Sequence, residues 1–179
     1  SGEGGILTTN NKTISIKAKV MRNHGIIKNK NNNKHWVYDI KSPGFNYRLS
    51  DINCALAYSQ LKKLNLFINK RKKIAEIYIN LFRKEKFVKT IEIKKNLYSS
   101  WHLFLISVNF SKIKSNKNEL LSFLLSKGII AQQHYMPIYK FTYYKKKIRK
   151  KFEFAEFYHK NTISLPIHLG CNEVLVNYI

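Results

Sequence analysis

Gly44-Phe45-Asn46-Tyr47-Arg48-Leu49-Ser50-Asp51 runs into Ala55-Leu56-Ala57-Tyr58-Ser59-Gln60-Leu61-Lys62-Lys63-Leu64, a glycine loop feeding an amphipathic helix. Ser50 has the side chain to cap that helix, and Asp51 places a carboxylate at its positive end. Just before the first turn stand a neutral amide, Asn46, and the planar donor fork of Arg48. Both suit a phosphate or carboxylate presented to a helix start, where free backbone N–H groups already favour an anion. Alone this is a weak anion-site signal, since Gly44-Phe45-Asn46 would suit any bend. Arg48 could equally pair with Asp51 or lie on the surface.

Downstream, Ala57, Leu61, Leu64 and Ile68, then Ile74, Ile77, Tyr78 and Leu81, keep a stripe with a period of about 3.6 residues to Phe82. This spacing predicts one long helix that crosses from one domain into another, with the boundary near 70–82. Trp101 to Val108 is apolar on both faces apart from His102 and Ser107, as a covered strand would be. Asn116 and Glu119 stand in capping-box spacing, and Gly128 offers a left-handed stop to the helix between them. Ile129 to Tyr135 reads as a further strand, ended by Pro137. Upstream, Gly4 to Asn10 reads as a short strand. Asn11 to Met21 fits either a helix (Ile14, Ala18, Met21) or a strand (Ile14, Ile16, Ala18, Val20). Ile26 to Lys34, with Asn31-Asn32-Asn33, reads as a polar loop. The strand-helix-strand order describes a small α/β domain, and no internal repeat is visible.

The 179 residues suffice for one domain with a core. Lys+Arg total 33 against 10 Asp+Glu, a net charge of +23 that ordinarily suggests nucleic acid or an anionic membrane surface. The lysines are scattered among Asn and Ile rather than gathered on one face, and arginine-aromatic base-reading motifs are absent. Compositional drift therefore outweighs specific nucleic-acid binding, although a basic binding module remains the rival reading. Runs such as Lys145-Lys146-Lys147 and Arg149-Lys150-Lys151 read as solvated surface. Cys54 and Cys171 form no disulfide framework and have no metal-ligand spacing. No run of about 18 apolar residues is present, so no transmembrane helix is predicted; no secretory signal is visible in these residues, and a reducing cytoplasm is the default.

Set in order, Gly2-Glu3-Gly4-Gly5, Arg22-Asn23-His24-Gly25, Gly44 to Leu64, Trp101-His102-Leu103, Gly128 to Tyr139, and Ala155-Glu156 with Ile163-Ser164-Leu165-Pro166-Ile167-His168 span nearly the whole chain. This pattern resembles the DegT/DnrJ/EryC1/StrS family of pyridoxal-phosphate aminotransferases acting on nucleotide-linked sugars. Within it, Gly128 to Tyr139 together with Ser164-Leu165-Pro166 is most similar to the pseudaminic acid branch, which aminates a UDP-linked 4-keto-6-deoxy-N-acetylhexosamine. The resemblance selects helix for Asn11 to Met21. It implies the C-terminal part of a type I (aspartate aminotransferase-like) α/β fold, with residues 1–75 ending the large cofactor-binding domain and 76–179 forming a small, truncated α/β domain. Intact members are about twice as long, so the chain is expected to be a fragment.

Transamination needs a lysine amine that holds pyridoxal 5'-phosphate as a Schiff base and moves protons beside the nitrogen. In the family that lysine lies a few residues before Gly-Glu-Gly-Gly, here upstream of Ser1. No catalytic residue is therefore assigned, and the fragment alone is expected to be inactive. The resemblance gives Asn46 the role of reaching the cofactor phosphate of a neighbouring subunit, implying a homodimer with a shared active site, a UDP-keto-sugar substrate and glutamate as amino donor. Arg48, His134, Tyr135 and Tyr139 are candidate substrate contacts, the aromatic pair suited to stacking on a sugar or uracil ring. Tyr135 and Tyr139 could instead simply pack the small domain, and His24 and His168 could be structural. A dehydratase relative using the same cofactor and a catalytically dead dimerising remnant are further alternatives.

Overall fold

The computed structural model describes residues 2–28, 36–146, 150 and 152–179. Most of the asparagine-rich loop, and Lys147, Arg149 and Lys151 of the basic runs, lie outside the described residues. The chain divides between Lys63 and Leu64 into two compact units, upstream of the 75/76 division implied by the resemblance.

In the first unit, Asn11 caps α1 (Lys12–Arg22), its side chain accepting the Ile14 N–H. The ambiguous segment is thus a helix, with a polar cap deciding where a strand pattern was equally open. After it, β1 (Ile26–Lys28) pairs antiparallel with β2 (Tyr38–Ile40). Residues 26–28 are therefore strand, not loop. Conversely, the strand expected over Gly4 to Asn10 does not form: Ile6 and Leu7 are exposed, and no ladder partner for them exists among the described residues. Ser50 caps α2 (Asp51–Leu61) through the Asn53 N–H at 3.3 Å. Neither α1 nor α2 has a buried residue, and Ile52 is 82% exposed.

The expected long helix is interrupted. The Lys63 N–H turns back to the Gln60 carbonyl at 3.0 Å, three residues earlier, and the helical ladder resumes only in α3 (Leu64–Phe82). Neither glycine nor proline marks the break, so the apolar period runs through it unchanged.

The second unit contains the core. β3 (Val88–Thr90), β4 (Phe104–Val108) and β5 (Thr162–Leu165) form an antiparallel sheet with β4 in the centre. β4 is shorter than expected because Trp101 sits at φ +50°, outside the β region. Between β4 and β5 come α4 (Lys117–Ser126), α5 (Thr142–Lys145) and α6 (Glu153–Asn161); α7 (Glu173–Tyr178) ends the chain. The capping box of α4 is complete, with Asn116 accepting the Glu119 N–H and Glu119 accepting the Asn116 N–H. Gly128 comes after it at φ +78°. The strand expected over Ile129 to Tyr135 reduces to a single bridge between Gln132 and Ser164, because the Ala131 N–H turns back to the Ile129 carbonyl.

Ile74, Ala75 and Tyr78 of α3 pack with Phe104, Ile106, Ile163 and Leu165 of the sheet, closed by Leu124 and Val176. Tyr78 is 1% exposed, stacks on Phe104 at 4.6 Å and donates its hydroxyl to the Pro166 carbonyl at 2.9 Å. Burial, reinforced by Cys171, raises its pKa, so the phenol stays a donor. Tyr78→Phe should lower unfolding free energy by about 1 kcal/mol in urea denaturation, the net worth of one hydrogen bond. An unchanged midpoint would mean that water replaces the contact.

Candidate functional site

Each unit contributes a separate constellation. In the first, Arg22-Asn23-His24-Gly25 crosses Gly44-Phe45-Asn46-Tyr47 at backbone contact. His24 N–H donates to the Phe45 carbonyl (2.9 Å), Phe45 N–H to Met21 (2.7 Å) and Tyr47 N–H to Arg22 (3.0 Å), with Asn23 and Asn46 forming an isolated bridge. His24 and Gly25 take positive φ, 59° and 74°, which turns the chain into the crossing. A Cβ on Gly44 would fall 2.1 Å from the Gly25 nitrogen, and one on Gly25 1.9 Å from the Ser42 carbonyl oxygen. The two glycines are there because the two stretches of backbone touch.

The crossing also positions the residues just beyond Asn46. The Arg48 guanidinium donates to the Asn23 side-chain oxygen rather than pairing with Asp51, and the rings of Phe45 and Tyr47 stack at 4.8 Å. Asn46 is held by its backbone, while its exposed side-chain amide has no partner among the described residues. The remaining guanidinium N–H groups are likewise uncommitted among the described residues. A neutral amide and a delocalised cation, anchored at one end and open at the other, form a donor set suited to phosphate oxygens. Asn46 and Arg48 thus share one short segment with free donors.

In the second unit, three of the sequence blocks line one cleft of about 820 Å³: His102 and Leu103, Gly128 to His134 in part, and Ser164 to Leu169. Its organising residue is Ser164. Backbone bonds join Ser164 and Gln132 in both directions, at 2.7 and 3.0 Å, and the Ser164 hydroxyl donates to the Gln132 carbonyl at 3.0 Å. That hydroxyl has one hydrogen, so at its 2.7 Å contact with His134 Nδ1 the imidazole must be the donor. Neutral His134 therefore carries its proton on Nδ1 and keeps a lone pair on Nε2. At His168 the assignment is reversed: Nδ1 accepts the Gly170 N–H at 3.1 Å, leaving Nε2–H to donate. The cleft thus holds an imidazole acceptor and an imidazole donor, with the cation of Arg71 from α3 also on its wall.

The other expected contacts are placed differently. Tyr135 is 72% exposed and meets the His134 ring edge-on at 4.7 Å across a cis peptide bond, outside the cleft. Tyr139 donates to Glu156 at 3.0 Å and packs on Phe152, so a part of its polar function is spent within the domain. Its pKa is raised by desolvation and by that carboxylate. Sequence reasoning did not single out Arg71 and gave no role to His102, Gln132 or Ser164. For the last three the only signal was position inside the blocks, and Arg71 lies outside them.

The pattern of the DegT/DnrJ/EryC1/StrS aminotransferase family matches residues 1–179. The UDP-4-amino-4,6-dideoxy-N-acetyl-beta-L-altrosamine transaminase of Campylobacter jejuni strain 81-176 is 40% identical over 171 residues, covering 95% of this chain and 44% of that protein. The transaminase of the same name from Helicobacter pylori is 33% identical, covering 96% and 45%. Among solved structures, Helicobacter pylori PseC, an aminotransferase involved in pseudoaminic acid biosynthesis, superposes with a TM-score of 0.83 at 32% identity, over 94% of this chain and 44% of that one. A sugar aminotransferase of Streptococcus pneumoniae superposes with a TM-score of 0.85 at 24% identity, which speaks for the fold. The chain spans under half the length of these relatives.

Proposed function

The chain belongs to the DegT/DnrJ/EryC1/StrS aminotransferase family, and on that premise we propose that it supplies part of an enzyme transferring an amino group from glutamate to a UDP-linked 4-keto-6-deoxy-N-acetylhexosamine. The observation that carries this reading is the 40% identity, over 95% of the chain, to a transaminase named for a UDP-4-amino-4,6-dideoxy sugar. The family works with pyridoxal 5'-phosphate, which when bound supplies an electron sink for proton movement at the carbon bearing nitrogen. The residues at the start of α2 fit its phosphate: the Asn46 amide and Arg48 guanidinium have donors to spare, and neither is in an ion pair among the described residues.

In this reading Asn46 holds the phosphate of the cofactor seated in the neighbouring subunit, which makes the protein a homodimer. The exposed apolar residues of α2, Ile52, Leu56, Tyr58 and Leu61, support a further partner surface there. Arg48 orients either that phosphate or an anionic group of the substrate. His134 accepts a substrate hydroxyl or amide hydrogen at Nε2 and holds it in place, while Tyr135 offers an uncovered ring for uracil or sugar to stack on. None of these residues forms or breaks the bond to nitrogen; they bind and position. No helix among the described residues is long and apolar enough to cross a membrane, and a cytoplasmic enzyme with no specific nucleic-acid partner is the reading we adopt.

The direct test is Asn46→Ala in the protein carrying this chain. Cofactor retention should fall about ten- to hundredfold, the cost of one charge-assisted hydrogen bond of about 1.5–3 kcal/mol, with circular dichroism unchanged. Unchanged retention would remove Asn46 from the phosphate site.

A further inference from the structure

A second cleft, of about 960 Å³, opens beside the start of α4 and the end of α6. Lys117, Lys140, His159 and Lys160 all line it, against a single carboxylate among the described residues, Glu156. Glu156 is already committed: it accepts from Lys140 at 2.5 Å and from Tyr139 at 3.0 Å, and Lys140 holds its pKa low. Lys117 donates to the His159 backbone carbonyl, which fixes its ammonium without neutralising it. His159 is fixed too, its Nδ1 in contact with the Gln133 amide at 2.6 Å. Lys160 and the Asn118 amide have no partner among the described residues. Burial depresses the pKa of both Lys117 and His159, and the neighbouring lysines add to it, so the Lys117 and Lys140 ammonium groups repel one another while His159 favours its neutral form. Lys117, tethered by a neutral carbonyl, and Lys160 thus leave two uncompensated ammonium groups on a cleft whose carboxylate is already taken by Lys140, which suits an anion.

We propose that this cleft is a phosphate-binding site of the small domain, taking a di- or polyanionic phosphate group between Lys117, Lys140 and Lys160, with Asn118 as a neutral donor. It is distinct from the Asn46–Arg48 segment, which belongs to the other unit, and it does not depend on the aminotransferase reading.

Inorganic pyrophosphate titrated calorimetrically into the protein carrying this chain, at about 0.15 M salt to screen exposed lysines, should bind saturably. Lys117→Gln and Lys160→Gln should each weaken it about tenfold or more, while Lys89→Gln on β3 should leave it within about twofold. Lys160 is exposed, so its variant reports even if Lys117→Gln fails to fold. UDP binding with the same lysine dependence would identify a nucleotide diphosphate as the source of the phosphate; orthophosphate alone behaving so would identify a free phosphate. Absence of saturable binding, or an equal loss in Lys89→Gln, overturns the proposal, and a loss confined to Asn46→Ala moves the anion to the cofactor segment.

Discussion

Gly44→Ala should disassemble the crossing that presents Asn46, with a loss of about 3 kcal/mol or more from the first unit. The new methyl would lie 2.1 Å from the Gly25 nitrogen, 2.6 Å from the His24 carbonyl carbon and 2.9 Å from the Gly25 Cα, all backbone atoms with no rotamer to yield. Separating the two segments breaks the contacts of Phe45 with Met21 and His24 and of Tyr47 with Arg22, each worth about 0.5–1.5 kcal/mol net. Asn46 and Arg48 then lose their common anchor on Asn23. Gly5→Ala is the matched control: its Cβ meets nothing within 4 Å and its φ is unexceptional. Amide hydrogen exchange at Phe45 and Tyr47 should accelerate strongly in the first variant and stay put in the second, with cofactor retention changing in the same order. Equal behaviour of the two would mean that the glycine pair is not what holds the loop.

What could be read from sequence was mostly punctuation. Asn116 and Glu119 announce the start of α4 and Gly128 its end, because caps and left-handed stops use local chemistry that tertiary context rarely overrules. The break between α2 and α3 left no such mark at Lys62-Lys63. β5 was invisible for another reason: all four of its residues are buried, so no alternation betrays it, and four residues are too few for a period. Gly4 to Asn10 shows the converse, apolar residues of strand-like pattern with no strand to pair with among the described residues. The site divides along the same line. Asn46 and Arg48 are legible because glycine, amide and guanidinium lie within one loop. His134 meets Ser164 through the pairing of Gln132 with Ser164, a contact across 32 residues, and His102 comes near them through the pairing of β4 with β5, neither of which a spacing rule specifies. Tyr139 was legible as an aromatic next to a proline, but its partner Glu156 lies 17 residues away on α6.

Two inactive proteins should regain activity on mixing. If Asn46 serves the cofactor of the neighbouring subunit, an Asn46 variant spoils its partner's site, whereas a variant lacking the relatives' cofactor lysine spoils its own. In a heterodimer of the two, both defects fall on the same site and the other site is whole. Random re-pairing of equal amounts makes half of the dimers mixed, each with one good site, so about a quarter of full activity is the ceiling for a symmetric dimer. Asn46→Ala alone is predicted to be leaky at saturating cofactor, so an acidic replacement, Asn46→Asp, is the better partner: it sets a carboxylate against the phosphate and turns a lost hydrogen bond into repulsion. Recovery should require subunit exchange and should vanish when the dimers are cross-linked before mixing. Exchange demonstrated by mass-tagged subunits with no return of activity would put Asn46 in its own subunit's site or outside the site altogether, and would leave the crossing of Gly25 and Gly44 as a purely structural device.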